Sequence, residues 1–206
     1  KTTHNLKLET MINHAKSVTL GAKKSLVVVD MPKDTYKNPK QALKNAKHIL
    51  KVTGCDAIKI ENNIYNLKIM RTLIKSKIDV MGHIGYTPQF KKKFRVEGKN
   101  KNEEKKLLNQ AKKIEKAGAF SIVLECISKM TAKKITQSLN IPTIGIGSSS
   151  FCDGQILVPD DMLGVSGFYP KFVKKYANIE KSINQAVKRF AKEVKMSRFP
   201  KNKNSF

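Results

Sequence analysis

Short Val/Ile/Leu runs alternate with amphipathic segments along this 206-residue chain, and that alternation predicts an α/β fold with a parallel sheet and helices packed outside it. Buried parallel strands read as continuous apolar runs, and six such runs are legible. A closed (β/α)8 TIM-type barrel has eight strands in about 250 residues. The expectation is therefore a single barrel domain over 1–206 that lacks its N-terminal one or two βα units and ends in a polar tail at 197–206. Three of the runs end in a carboxylate, at Asp30, Glu61 and Glu125, in a chain with only 16 acidic residues against 41 Lys plus Arg. In α/β folds the loops at the carboxyl ends of the strands carry the chemistry, so neighbouring runs would gather these acids at one mouth.

The elements follow in order. Residues 6–20 place Leu8, Met11, Ile12, Ala15 and Val18 on one helical stripe, with Gly21 as a stop before the β-run 26–30. Asn38-Pro39 opens a second helix carrying Ala42, Leu43, Ala46, Ile49 and Leu50, and Gly54 closes it. The run 57–61 is followed by a helix over 64–76 and a strand over 80–83. A basic loop, 89–102, leads to a helix over 103–117 closed by Gly118, then to the run 121–125. A helix over 129–139 precedes the run 141–147 and a Ser-rich loop; 155–158 is a short apolar run, and 170–196 reads as mostly helical. No internal repeat and no domain linker is evident.

Composition narrows the function classes. No apolar run approaches the roughly 20 residues that cross a bilayer, and no charged-then-apolar leader is present. Cys55, Cys126 and Cys152 are odd in number and lack paired spacing, which points to reduced thiols and a cytoplasmic setting. The net charge of +25 invites a nucleic-acid partner, but the arginines that favour base and phosphate recognition are only Arg71, Arg95, Arg189 and Arg198. The lysines are spread over nearly every amphipathic segment, and no nucleic-acid motif accompanies them, so a Lys-biased solvated surface is the better reading.

Asp30 precedes Met31-Pro32, which ends the strand; a carboxylate there can ligate Mg²⁺ or simply cap a turn. Lys59 and Glu61 stand two apart and so share a strand face, either as a pair that binds a carboxylate and orders a metal-bound water or as a structural ion pair. His83 lies between Gly82 and Gly85, which permit close approach of a ligand; the alternative is a satisfied polar side chain. Glu125, backed by Ile122, Val123 and Leu124, has the apolar setting that raises a carboxyl pKa and suits a general base. Cys126 reads as a small buried residue, and Gly145-Ile146-Gly147 is a weak anion cradle.

Val29-Asp30-Met31-Pro32, Ile58-Lys59-Ile60-Glu61, Gly82-His83-Ile84-Gly85-Tyr86-Thr87-Pro88-Gln89, Val123-Leu124-Glu125-Cys126, Ile144-Gly145-Ile146-Gly147 and Asp153-Gly154-Gln155-Ile156-Leu157-Val158 stand in the order found in the ketopantoate hydroxymethyltransferases. The chain resembles that family, of the phosphoenolpyruvate/pyruvate barrel superfamily, over residues 2–206. The resemblance implies transfer of a hydroxymethyl group from 5,10-methylenetetrahydrofolate to 3-methyl-2-oxobutanoate, with Mg²⁺ assisting enolate chemistry, in pantothenate and coenzyme A biosynthesis. It implies Asp30 as a direct metal ligand at the substrate, Glu61 as holder of a metal-bound water or completion of the metal site, Lys59 and His83 as keto-acid contacts, and Glu125 as the base. It further implies a large homo-oligomer, often a decamer, with the 2-oxo acid and folate as small-molecule partners and neither a membrane nor a specific nucleic acid.

The sequence also departs from the family. The family's two leading strands, the second ending in Gly-Asp-Ser with a further metal ligand and a substrate-binding Ser, have no counterpart here, so the chain by itself is expected to be inactive. Asn62-Asn63 and Ser148-Ser149 replace small-residue pairs, and Lys91-Lys92-Lys93 replaces a Gly-rich stretch in a shortened loop. A non-catalytic barrel subunit and another superfamily lyase acting on a 2-oxo acid are the competing readings.

Overall fold

A computed structural model describes residues 5–61, 66–91 and 93–206. The chain divides into two compact units, Lys1–Ile156 and Leu157–Phe206. In the first, helix and strand alternate: α1 (Leu8–Gly21), β1 (Val28–Asp30), α2 (Pro39–Thr53), β2 (Ala57–Lys59), α3 (Asn66–Lys75), β3 (Val80–Gly85), α4 (Lys101–Lys116), β4 (Ser121–Glu125), α5 (Lys129–Ser138), β5 (Thr143–Ile146) and β6 (Gly154–Gln155). The six strands pair in chain order, every pair parallel, as the alternation predicts. Among the described residues the sheet is open.

Local sequence accounts for the element ends. The Asn38 side chain accepts a hydrogen bond from the Gln41 N–H at 2.9 Å, with Pro39 in the first turn, and Gly54 closes α2 at φ 68°. Asn100 caps α4 in the same way through the Glu103 N–H, while the Glu103 carboxylate reaches back to the N–H of Gly98. Gly21 differs from expectation: it is the last residue of α1, and the chain turns at Ala22 in extended geometry.

Register decides which side chains face the site. Asp30 pairs with Lys59, Lys59 with Met81, Met81 with Ser121, and Val123 with both His83 and Ile144. Paired residues of a parallel sheet share a face, and alternate residues along a strand share it too. Val29, Ile58, Ile60, Val80, Ile84, Ile122 and Leu124 therefore point to the opposite side, where they join Ala42, Ala46, Ile49, Met70, Leu73, Ala111, Ile114 and Ile135 of the helices in the hydrophobic core. The inner face keeps Asp30, Lys59, His83 and Glu125. Apolar runs that look uniform in sequence are divided by the pleat into a core face and a site face.

Strand lengths differ from the apolar runs: β4 matches its run, β3 extends to Gly85, and β1, β2, β5 and β6 are shorter than theirs. β2 ends at Lys59, so Glu61 lies just beyond it, although the Ile60 N–H still bonds to the Met81 carbonyl at 3.2 Å. β6 is Gly154–Gln155, preceding most of the 155–158 run. In the second unit, α6 (Pro159–Leu163) was not foreseen, and helix occupies only Ile179–Lys195 (α7) of the 170–196 segment. The segment 170–178 is non-helical because Asn178 caps α7 through the Lys181 N–H, setting the helix start late. Ile183, Val187, Phe190 and Val194 form an exposed stripe on α7, and Phe190 meets Phe199 edge-on at 5.4 Å. Among the described residues, no helix is long and apolar enough to cross a membrane.

Candidate active site

The carboxyl ends of β1 to β4 bring together Asp30, Lys59, Glu61, His83 and Glu125, all of the site residues expected from the sequence. Asp30 and Lys59, paired across β1 and β2, form an ion pair with Nζ 2.5 Å from Oδ2. The other carboxylate oxygen, Oδ1, is buried and has no hydrogen-bond partner among the described residues. One oxygen of Asp30 is thus held by Lys59 and the other takes no hydrogen bond from the described residues.

Glu61 is 2% exposed. Burial pushes its carboxyl up to about 8, against the pull of the Lys59 charge. Its Oε2 accepts the Gln89 N–H at 3.0 Å, and its backbone carbonyl accepts the Asn66 side-chain amide at 2.7 Å. Asn62-Asn63 and Lys92 lie outside the described residues.

His83 is 1% exposed, and its Nε2 lies 3.3 Å from Glu125 Oε2. That is ion-pair range, yet the alignment is not that of a hydrogen bond: neither ring nitrogen has such a partner among the described residues. Burial, reinforced by the Lys59 charge, holds the imidazole pKa well below its usual value, so His83 is neutral near pH 7. Burial pushes Glu125 up to about 7, with Lys59 opposing. A carboxyl pushed up to about 7 within 3.3 Å of a buried, neutral imidazole is suited to taking a proton from carbon. Cys126, at φ 52°, is buried with its thiol pushed up to about 12, so it is neither a ready nucleophile nor a thiolate ligand.

Several residues at this mouth were not assigned roles from the sequence. Tyr36 donates to Gln89 Oε1 at 2.6 Å, and Gln89 Nε2 donates to the Met31 carbonyl at 2.9 Å. Gln89 was visible at the end of the Gly82-to-Gln89 motif; Tyr36 carried no signal beyond an aromatic residue in a polar loop. Lys91 donates to the Gly85 carbonyl and pairs with the buried Glu97, so one of the lysines of the shortened loop fastens that loop. The Gly145-Ile146-Gly147 stretch has a packing role: a Cβ on Gly145 would lie 2.9 Å from the Gln155 side-chain amide. Ser148 Oγ donates to the Ile127 carbonyl, and the Ser149 carbonyl accepts from Gln155.

The donor set can be tested against a divalent cation. Mg²⁺ takes oxygen ligands, usually one or two carboxylates with waters and substrate oxygens. Asp30 Oδ1, buried and unpartnered, and the Glu61 carboxyl are such donors, and a cation beside Glu61 would favour its ionised form. Among the described residues no group of three or more His, Cys, Asp or Glu side chains could hold a metal ion, and Asp30 and Glu61 are the carboxylates there that a cation could use.

Comparison with known proteins bears on the fold and the family. A solved 2,3-dimethylmalate lyase of the PEP mutase/isocitrate lyase superfamily superposes with a TM-score of 0.53 at 15% identity, covering 69% of this chain and 52% of that one, which shows the barrel fold. The 3-methyl-2-oxobutanoate hydroxymethyltransferase of Pelagibacter ubique is 52% identical over 204 residues, 99% of this chain and 79% of that protein. The same-named protein of Clostridium botulinum (strain 657 / Type Ba4) is 46% identical over 209 residues, 99% of this chain and 76% of that protein. A family model described as ketopantoate hydroxymethyltransferase matches residues 1–202, and with these relatives it shows that the chain belongs to the ketopantoate hydroxymethyltransferase family of transferases.

Proposed function

We propose that this protein transfers a hydroxymethyl group to 3-methyl-2-oxobutanoate, with 5,10-methylenetetrahydrofolate as the one-carbon donor. The observation that carries the reading is the inner-face cluster at the strand ends: Glu125 beside the unpartnered His83, next to the Asp30–Lys59 pair. Lys59 holds the substrate carboxylate by charge, and His83, neutral and buried, donates to a substrate oxygen. Glu125 takes the proton from C3, the carbon next to the keto group. Water displaces both nitrogens from the folate methylene carbon, so that the two C–N bonds break, tetrahydrofolate leaves with both nitrogens protonated and the carbon is left at the formaldehyde level. The electron pair left on C3 then forms the new C–C bond to that carbon, whose oxygen, taken from water, picks up a proton to become the hydroxyl. A Mg²⁺ ion held by Asp30 and Glu61 would supply Lewis-acid stabilisation of the keto oxygen as charge develops there. The three cysteines are free and buried, and we place the reaction in the cytoplasm on that chemistry.

The half-reaction is separable. The protein expressed from its full coding sequence, incubated with 3-methyl-2-oxobutanoate and Mg²⁺ in D₂O without folate, is expected to exchange the C3 proton, followed by NMR, and Glu125→Gln is expected to abolish the exchange. Adding methylenetetrahydrofolate should then yield 2-dehydropantoate. Failure of both exchange and product formation by the wild-type protein overturns the assignment; exchange without product points to a different 2-oxo-acid enzyme.

A further inference from the structure

Gln89 uses three of its polar groups in buried surroundings. Its backbone N–H donates to Glu61 Oε2 at 3.0 Å, its Nε2 donates to the Met31 carbonyl at 2.9 Å, and its Oε1 accepts from the Tyr36 hydroxyl at 2.6 Å. Gln89, Tyr36, Glu61 and Met31 are all buried. The pattern fixes the amide without ambiguity, because a carbonyl can only accept, so the nitrogen must face Met31. Met31 directly follows Asp30, so the residue at the start of the loop after β3 is bonded both to the exit of β1 and to the carboxyl beyond β2. Tyr36, reaching in from the loop after β1, orients the side-chain amide that makes the first of these bonds, to Met31, while the bond to Glu61 comes from the Gln89 backbone.

We propose that Gln89, locked by Tyr36, is a positioning residue for a divalent-cation site: it sets the Glu61 carboxyl and the Asp30 strand end at a fixed separation. This rests on the cation reading of Asp30 and Glu61 above. Partners that orient metal-ligating carboxylates act through the ligand, and their loss typically weakens metal binding by about tenfold to a hundredfold. A residue that merely ties loops together would lower the melting temperature and leave the affinity alone.

The test titrates the protein with Mn²⁺ alone, a hard divalent cation whose free form is read by electron paramagnetic resonance. Wild-type protein is expected to bind and Asp30→Asn to lose binding; Gln89→Met keeps the backbone bond to Glu61 but releases the Met31 carbonyl next to Asp30 and the Tyr36 hydroxyl, and is expected to bind about tenfold more weakly. Tyr36→Phe removes only a hydroxyl and keeps the ring against Phe90, so it decides the matter if Gln89→Met does not fold. Its affinity should fall by about tenfold with an unchanged circular dichroism spectrum. Wild-type affinity in Gln89→Met, or in Tyr36→Phe if it is the only folded variant, with binding lost in Asp30→Asn, overturns the positioning role alone. Absence of Mn²⁺ binding by the wild-type protein overturns the cation reading and the positioning role together.

Discussion

Glu125 sits 3.3 Å from a buried imidazole on a face that also carries Lys59, and its carboxyl titrates near 7 because burial disfavours the charged form more than Lys59 favours it. The base is active only when ionised, so turnover should rise with pH through about 7. Stability runs the other way. Between about 4.5 and about 7 the native state keeps this proton while the unfolded chain has released it, so the native state binds more protons and stability falls as pH rises across that window. Glu125→Gln is expected to be inactive yet more stable than wild type at pH 8, by about 1 to 3 kcal/mol in urea unfolding. Equal or lower stability of the variant at pH 8 would show that the carboxylate is better solvated than its burial implies.

The strand ends and helix caps are where single substitutions should act on whole elements. Gly85 ends β3 at φ 94°, and a Cβ there would lie 2.1 Å from the Glu125 carbonyl oxygen. That oxygen accepts the Tyr86 N–H at 2.8 Å and belongs to the backbone, so it cannot rotate away. Gly85→Ala should therefore cost about 3 kcal/mol or more, read as a lowered urea midpoint, and should displace Glu125 enough to lower activity as well. At α2 the change is gentler: Asn38→Ala removes the side-chain acceptor for the Gln41 N–H and should cost about 1 kcal/mol with activity retained. A loss beyond about 2 kcal/mol would mean that Asn38 holds more than its own helix end.

Across the whole molecule, 41 Lys plus Arg against 16 acidic residues leave a net charge of +25, whose self-repulsion opposes compaction. Ion pairs of Glu97, Glu103 and Glu104 with Lys91, Arg95 and Lys134 offset only part of it. Raising NaCl from about 20 to about 200 mM should screen the repulsion and raise the melting temperature by about 3 °C; a fall would show that specific ion pairs outweigh the net field. At this scale the division between sequence and structure is clear. Strand and helix order in the first unit and the parallel sheet were legible because apolar periodicity is a local property, and the strand-end positions of Asp30, Glu61 and Glu125 could be read for the same reason. The helix start at Asn178 was obscured because apolar residues continue on both sides of it, and only the cap distinguishes them. The sequence by itself determined which residues bear charge at the strand ends. The folded chain is what gives one Asp30 oxygen to Lys59 and leaves the other without a hydrogen bond from the described residues, sets Glu125 against His83, and lets Tyr36 and Gln89 tie three loops together. The physical reason is that register and burial, which set those contacts and proton affinities, arise from partners 29 to 58 residues away along the chain.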